Sequence, residues 1–128
     1  MKKITISGKE HKINCTAWTF VKYKELFGVE ILSDIDILNN YLINQAYITE
    51  KVEQKKNLTA QAKENAINGY MRKFVSDFIS ALTRITWSFI WTENEEIEDY
   101  ENWLKHLNIK LSDKWISEVT EYAVTCFQ

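Results

Sequence analysis

The sequence predicts a mainly α-helical domain that opens with a short β-hairpin and continues through about five helices, one of them long and central. Three observations predict it. Proline is absent and glycine occurs only at Gly8, Gly28 and Gly69, so few breakers punctuate the chain. The apolar period changes from two to about 3.6 once Cys15 is passed. A single apolar stripe then runs from Thr59 to about Thr92, enough for a helix of about nine turns.

In the opening segment Ile4 and Ile6 alternate with Lys3 and Thr5. Ser7, Gly8, Lys9 and Glu10 supply turn chemistry, and a second run ends at Ile13 and Cys15. An isolated hairpin is marginal in water, so its apolar face needs a neighbour. The nearest is a short helix in which Trp18, Val21 or Tyr23, Leu26 and Phe27 recur at helical spacing. Thr16 is its predicted N-cap, because a hydroxyl can accept from an unpaired backbone N–H. Gly28 ends it, since glycine enters the left-handed conformation without steric cost.

A second helix follows, with Ile31, Ile35, Leu38, Leu42, Ala46 and Ile48 on one face and Ser33 or Asp34 as cap. The polar stretch 50–59 predicts a loop near Lys55 to Leu58. In the long helix Ala62, Ala66, Ile67, Tyr70, Met71, Phe74, Phe78, Ala81 or Leu82, Ile85 and Phe89 form the main stripe. Val75, Ile79, Trp87, Ile90 and Trp91 form a second one near its end. That widened arc predicts either deep burial or contact with a partner. An acidic run from Glu93 to Glu101 leads into a short helix that presents Tyr100, Trp103, Leu104 and Leu107. Acidic residues suit the positive end of a helix dipole. Ser112 is the predicted cap of a last helix carrying Trp115, Ile116, Val119, Tyr122, Ala123 and Phe127.

Residues 1–128 are read as one domain, the hairpin over 1–15 and the helical part over 16–128. The chain is long enough to bury a core without metal or disulfide staples. Its 45% hydrophobic and 27% charged residues are ordinary for a globular fold. Sixteen basic and eighteen acidic residues leave a net charge of −2, which provides no electrostatic footprint for nucleic acid. Lysines 51, 55, 56 and 63 cluster, but glutamates are interspersed among them. A helix-turn-helix reading of the last two helices meets Asp113, Glu118 and Glu121, which repel phosphate. No apolar stretch approaches the roughly twenty residues that span a bilayer, and Met-Lys-Lys is followed by strand alternation instead of a signal core. The expectation is a cytoplasmic protein with neither nucleic-acid nor membrane partners.

Motifs for catalysis are missing. His11 and His106 have no metal-ligand spacing, and there is no GxSxG, Walker sequence or GxGxxG. The carboxylates between Glu93 and Glu101 lack the ligand order and glycine of a calcium loop, so they read as a solvated acidic cap. Cys15 and Cys126 lie at opposite ends without CxxC spacing and read as buried, reduced thiols. The chain is therefore read as a non-enzyme, without metal or cofactor. What stands out is aromatic content, 13% with five tryptophans. Four of them fall in the final third, and tryptophan is enriched in protein interfaces. Trp87, Ile90, Trp91, Trp103 and Trp115 are the candidate residues of a self-associating or partner-binding surface at the end of the long helix.

The stretch ITISGKEHKINCTAWTFVKYKELFGVEIL resembles the start of the tail assembly chaperones of long-tailed (siphovirus-type) phages and prophages. There an "I-x-G-K-x-x-x-I/L" hairpin leads into a helix ending in "E-x-x-G"; here Ile6, Gly8, Lys9 and Ile13 precede Trp18, Phe20, Tyr23, Leu26 and Gly28. The stretch ALTRITWSFIWTENEEIEDYENWLKHL is similar to the family's second landmark, with Leu82, Trp87 and Trp91 ahead of Glu98, Trp103 and Leu104. Phe27 stands where the family usually has an acidic residue. The resemblance implies a helical fold and a non-catalytic role: coating the tape measure protein and recruiting tail tube subunits, in the bacterial cytoplasm, before leaving the finished tail. Those two proteins are the partners it implies, and absence from the mature virion follows. The alternative reading is a structural head–tail connector or tail-completion protein, which would keep the same surface permanently engaged.

Overall fold

The computed structural model describes residues 2–127 of the chain. Strands β1 (Lys2–Ile6) and β2 (Lys9–Ile13) precede five helices: α1 (Ala17–Phe27), α2 (Ile31–Glu53), α3 (Ala60–Glu93), α4 (Tyr100–His106) and α5 (Lys114–Cys126). The expected mainly helical class, the hairpin and the long central helix are all present. The hairpin is antiparallel, with Ile6 opposite Lys9 and Lys2 opposite Ile13. Its turn is only Ser7 and Gly8, both at positive φ (50° and 79°), the conformation that matches the twist of a two-residue hairpin loop. Lys9 and Glu10, expected in the turn, are strand residues instead. Ile4, Ile6 and Ile13 share the buried face.

Helix α1 starts after Thr16, whose backbone N–H donates to the Thr19 hydroxyl at 3.0 Å. Gly28 ends it in the left-handed region (φ 72°), donating to the Lys24 carbonyl at 2.9 Å. Helix α2 is capped by Glu30, earlier than the expected Ser33 or Asp34. Asp34 is missing from the cap because it is buried inside the fold, as described below. The loop before α3 falls at residues 54–59, and Thr59 caps α3 by accepting from Ala62 N–H at 3.1 Å. Asp99 caps α4, accepting from Asn102 N–H at 2.8 Å. Asp113, and not Ser112, is the N-cap of α5.

α2 and α3 form an antiparallel pair, tied at Asp34–Arg84, at the stacked Tyr41 and Phe78 rings (4.0 Å) and at Glu53–Lys63 (3.3 Å). Everything else gathers around the C-terminal third of α3. β2 is joined to it where Asn14 N–H donates to the Phe89 carbonyl at 3.2 Å. α1 meets it where the Thr19 and Thr92 hydroxyls lie 2.6 Å apart. α4 closes over it through Tyr100, 2.9 Å from the Thr83 hydroxyl. α5 lies on β1 through Lys2–Glu118 (3.7 Å) and on α3 through Tyr122 and Phe89, whose rings are 5.5 Å apart. From Ala81 to Ile90 only Arg84 escapes full burial.

Such a central helix must also satisfy its polar side chains. Thr83 donates to the Ile79 carbonyl (2.8 Å) and Thr86 to that of Leu82 (2.7 Å), the back-bonding open to hydroxyls inside helices. Among the described residues Ser88 Oγ is the one buried side-chain polar atom left without a partner.

Candidate functional site

Both stripes of α3 end in the interior. Trp87, Ile90, Trp103 and Trp115 are all buried, and Trp91 is half-buried beneath Trp18, ring to ring at 4.6 Å. The surface expected at the end of the long helix is therefore not presented by these five residues. Their burial has a direct cause: α1, α4, α5 and the hairpin supply four more apolar faces, and the wide arc of α3 is what covers all of them. Trp87 packs on Trp91 at 4.8 Å and on Phe27 at 6.2 Å, while its indole N–H donates to the Glu98 carbonyl at 3.0 Å. A buried tryptophan with its N–H satisfied is a core residue.

Large apolar side chains are exposed singly on the body, at Val21, Leu26, Leu32 and Leu111, and also on the two-helix arm formed by the C-terminal part of α2 and the N-terminal part of α3. Ile43 is 57% exposed, Tyr47 58% and Tyr70 53%, with Leu42 at their flank. Helical geometry puts Ile43 and Tyr47 one turn apart on the side of α2 turned away from α3. The buried line of α2 runs through Ile31, Asp34, Ile35, Leu38, Tyr41 and Val52. Leu42 and Ala46, assigned by sequence to the inner face, are exposed because Tyr41 and Val52 occupy that line. Between residues 42 and 77 no described hydrogen bond, ion pair or aromatic contact reaches another element outside α2, α3 and their loop. Tyr47 carries a cation over its ring, Lys51 Nζ at 5.5 Å from the centroid.

Sequence reasoning placed the candidate surface on Trp87, Ile90, Trp91, Trp103 and Trp115 and did not single out the exposed Ile43, Tyr47 and Tyr70. The available signal was Ile43 and Tyr47 falling off the α2 stripe while remaining large and apolar. Tyr70 had no such signal, because its spacing fits the α3 stripe.

A buried polar cluster sits where the arm meets the body. Both Asp34 oxygens accept from the Arg84 guanidinium, each at 2.8 Å, and the Tyr23 hydroxyl also donates to Asp34. The paired fork is the geometry that makes arginine–carboxylate contacts strong and directional. Burial, and then the Asp34 carboxylate, push the Tyr23 hydroxyl far above the ordinary phenol range. The Asp34 hydrogen bond raises the Arg84 guanidinium further. One residue each from α1, α2 and α3 is thus locked together, which fixes the angle at which the arm leaves the body.

The two histidines, read from sequence as separate solvated residues, line one open cleft of 490 Å³ together with Lys9, Glu96, Glu98 and Trp103. His106 Nδ1 lies 2.8 Å from the Asn102 carbonyl and must donate to it, leaving Nε2 as an acceptor when the ring is neutral. Burial and the nearby Lys9 hold the His11 imidazole below its usual range. No group of three or more His, Cys, Asp or Glu among the described residues has the geometry to hold a metal ion. No helix among them is long and apolar enough to cross a membrane.

Comparison of the chain with protein-family models, with curated proteins and with solved structures finds no match.

Proposed function

We propose that the protein is a non-catalytic phage tail assembly chaperone that binds the tape measure protein and recruits tail tube subunits during assembly. The sequence resemblance supplies the identity of the partners. The observation that carries the mechanism is the arm, whose Ile43, Tyr47 and Tyr70 are exposed on two helices that, between residues 42 and 77, make no described hydrogen bond, ion pair or aromatic contact with any other element. A chaperone for long amphipathic helices needs an accessible apolar face on a stable support, and it needs affinity modest enough for release.

An arm of two helices meets both requirements. The partner helix buries its apolar stripe against Ile43 and Tyr47, as amphipathic helices do in grooves and on exposed helix faces. Asp36 and Glu50, exposed on the same side of α2, select a partner with basic residues flanking that stripe. The patch is small, so binding is reversible. On this reading the protein acts in the bacterial cytoplasm and is absent from the finished virion.

Co-expression with the tape measure protein and pull-down tests the proposal. The expected result is a soluble co-purifying complex that Ile43→Asp with Tyr47→Asp abolishes without unfolding the chaperone. Failure of the native chain to co-purify with or solubilise the tape measure protein rejects the chaperone function. Retention of binding by the double variant rejects the arm as its site. A closed ring retained in purified particles would establish the connector reading instead.

A further inference from the structure

Asn14 is the joint between β2 and α1, and it gathers both ends of the chain. Its side-chain N–H donates to Glu93 Oε1 at 2.8 Å, while its Oδ1 accepts from Cys15 N–H at 2.9 Å and from the Tyr122 hydroxyl at 3.3 Å. Tyr122 stands one turn before Cys126 on α5, so i and i+4 side chains share a face there. Beyond Cys126, Phe127 packs edge-on against Phe20 of α1 at 4.6 Å, holding the end of α5 onto the β2–α1 junction. Both cysteines are free; Cys15 is half-buried and Cys126 exposed.

We infer that Cys15 and Cys126 are a disulfide-forming pair, because Tyr122 seated on Asn14 and Phe127 seated on Phe20 bring both thiols to one patch joining the two ends of the chain. The co-reactant is a low-molecular-weight disulfide such as oxidised glutathione. Exposed Cys126, as thiolate, attacks one sulfur of that disulfide; its S–S bond breaks, a Cys126–glutathione mixed disulfide forms and one glutathione thiolate leaves. Cys15 then loses its proton and attacks the Cys126 sulfur. The Cys15–Cys126 bond forms, the second glutathione leaves as thiolate, and the two protons released by the protein thiols pass through solvent to the two glutathione thiolates. The protein is oxidised by two electrons, and one glutathione disulfide is reduced to two thiols.

The second step is the slow one. Burial first, and then neighbouring Cys126, push the Cys15 thiol up to about 12, so little thiolate exists near neutrality. The closure rate therefore rises with pH across the whole neutral and mildly alkaline range. A bridge between the ends closes nearly the entire chain into a loop, where the loss of unfolded-state entropy is largest.

The full-length protein treated with oxidised glutathione at about pH 8 and about pH 9 tests the pair, read by intact mass, non-reducing electrophoresis and non-reduced peptide mapping. The expected product is a monomer lighter by two hydrogens, with one linked peptide pair containing Cys15 and Cys126. It forms about tenfold faster at the higher pH. Its melting temperature rises by roughly 5–15 °C and returns on reduction. Cys15→Ser stops at the mixed disulfide, and Cys126→Ser forms no bridge. A mixed disulfide that persists on Cys126 in the native chain, or a disulfide-linked dimer, overturns the inference.

Discussion

The body and the arm share the helices α2 and α3, yet they solve different problems. Around Ala81–Ile90 α3 is covered on all sides by β2, α1, α2, α4 and α5. Between residues 42 and 77 the described buried positions are Val52 and Met71, and Val52 lies outside the main core cluster. The body holds most of the apolar burial and hence most of the stability. The arm has little tertiary support to lose, which leaves its large apolar side chains free for a partner. The aromatic residues divide the same way: Trp87, Trp103 and Trp115 sit where stability is made, and the exposed aromatic residues of the arm are tyrosines.

If the division is right, the largest response comes from the cluster that joins the two regions. Asp34→Ala leaves the Arg84 guanidinium without its buried partner and is expected to cost about 3–5 kcal/mol by denaturant unfolding. A double change of Asp34 to Leu with Arg84 to Met restores much of that loss but relaxes the arm angle, visible by small-angle scattering. A drop below about 1 kcal/mol for the single variant would show that the junction is not a structural lock.

Trp87→Ala and Tyr47→Ala contrast the regions directly. Truncation of buried Trp87 is expected to cost about 3–5 kcal/mol, whereas exposed Tyr47 should change stability by no more than about 0.5 kcal/mol. Partner binding should show the reverse order once the comparison is made on folded protein. Equal costs for the two would break the distinction between body and arm.

Alkaline stability probes Tyr23. Its folded-state hydroxyl holds the proton more tightly than the unfolded one, so its contribution is fully present below the ordinary phenol value of 10.0 and declines as pH rises above it. Unfolding midpoints measured from about pH 9 to pH 11 should fall, and Tyr23→Phe should flatten part of that slope. An unchanged slope would remove Tyr23 as the titrating group. The smallest effect belongs to Ser88→Ala, which deletes a buried hydroxyl that has no partner. It should be neutral or stabilising by up to about 1 kcal/mol in the same unfolding measurement, in contrast to Thr86→Ala, whose hydroxyl is bonded.

Much of the fold was legible in order along the chain. Thr16, Gly28 and Thr59 mark helix ends because capping is a local matter: a hydroxyl or a left-handed glycine acts within one turn of itself. The α3 stripe was legible because its period is sustained over so many turns. Asp34 and Asp113 were harder. Asp34 looked like a cap and is instead buried against an arginine that lies far along the sequence, while Asp113 took the α5 cap from Ser112, one residue away. The candidate site was the least legible. Trp87, Ile90, Trp103 and Trp115 had the composition of an interface, and no local pattern says whether a wide apolar arc will meet other parts of its own chain or another molecule.

The residues by themselves determined the helical class, the hairpin, the order of the elements and the long helix from Thr59, since these follow from periods and caps that act over a few residues. Tertiary structure alone decided which apolar residues remain outside. It enclosed Trp87, Trp103 and Trp115, left Ile43, Tyr47 and Tyr70 in solvent, and set Tyr122, one turn before Cys126, on the residue that precedes Cys15. Burial is a competition among all the faces of a chain for one interior, and the outcome depends on how many elements reach each helix.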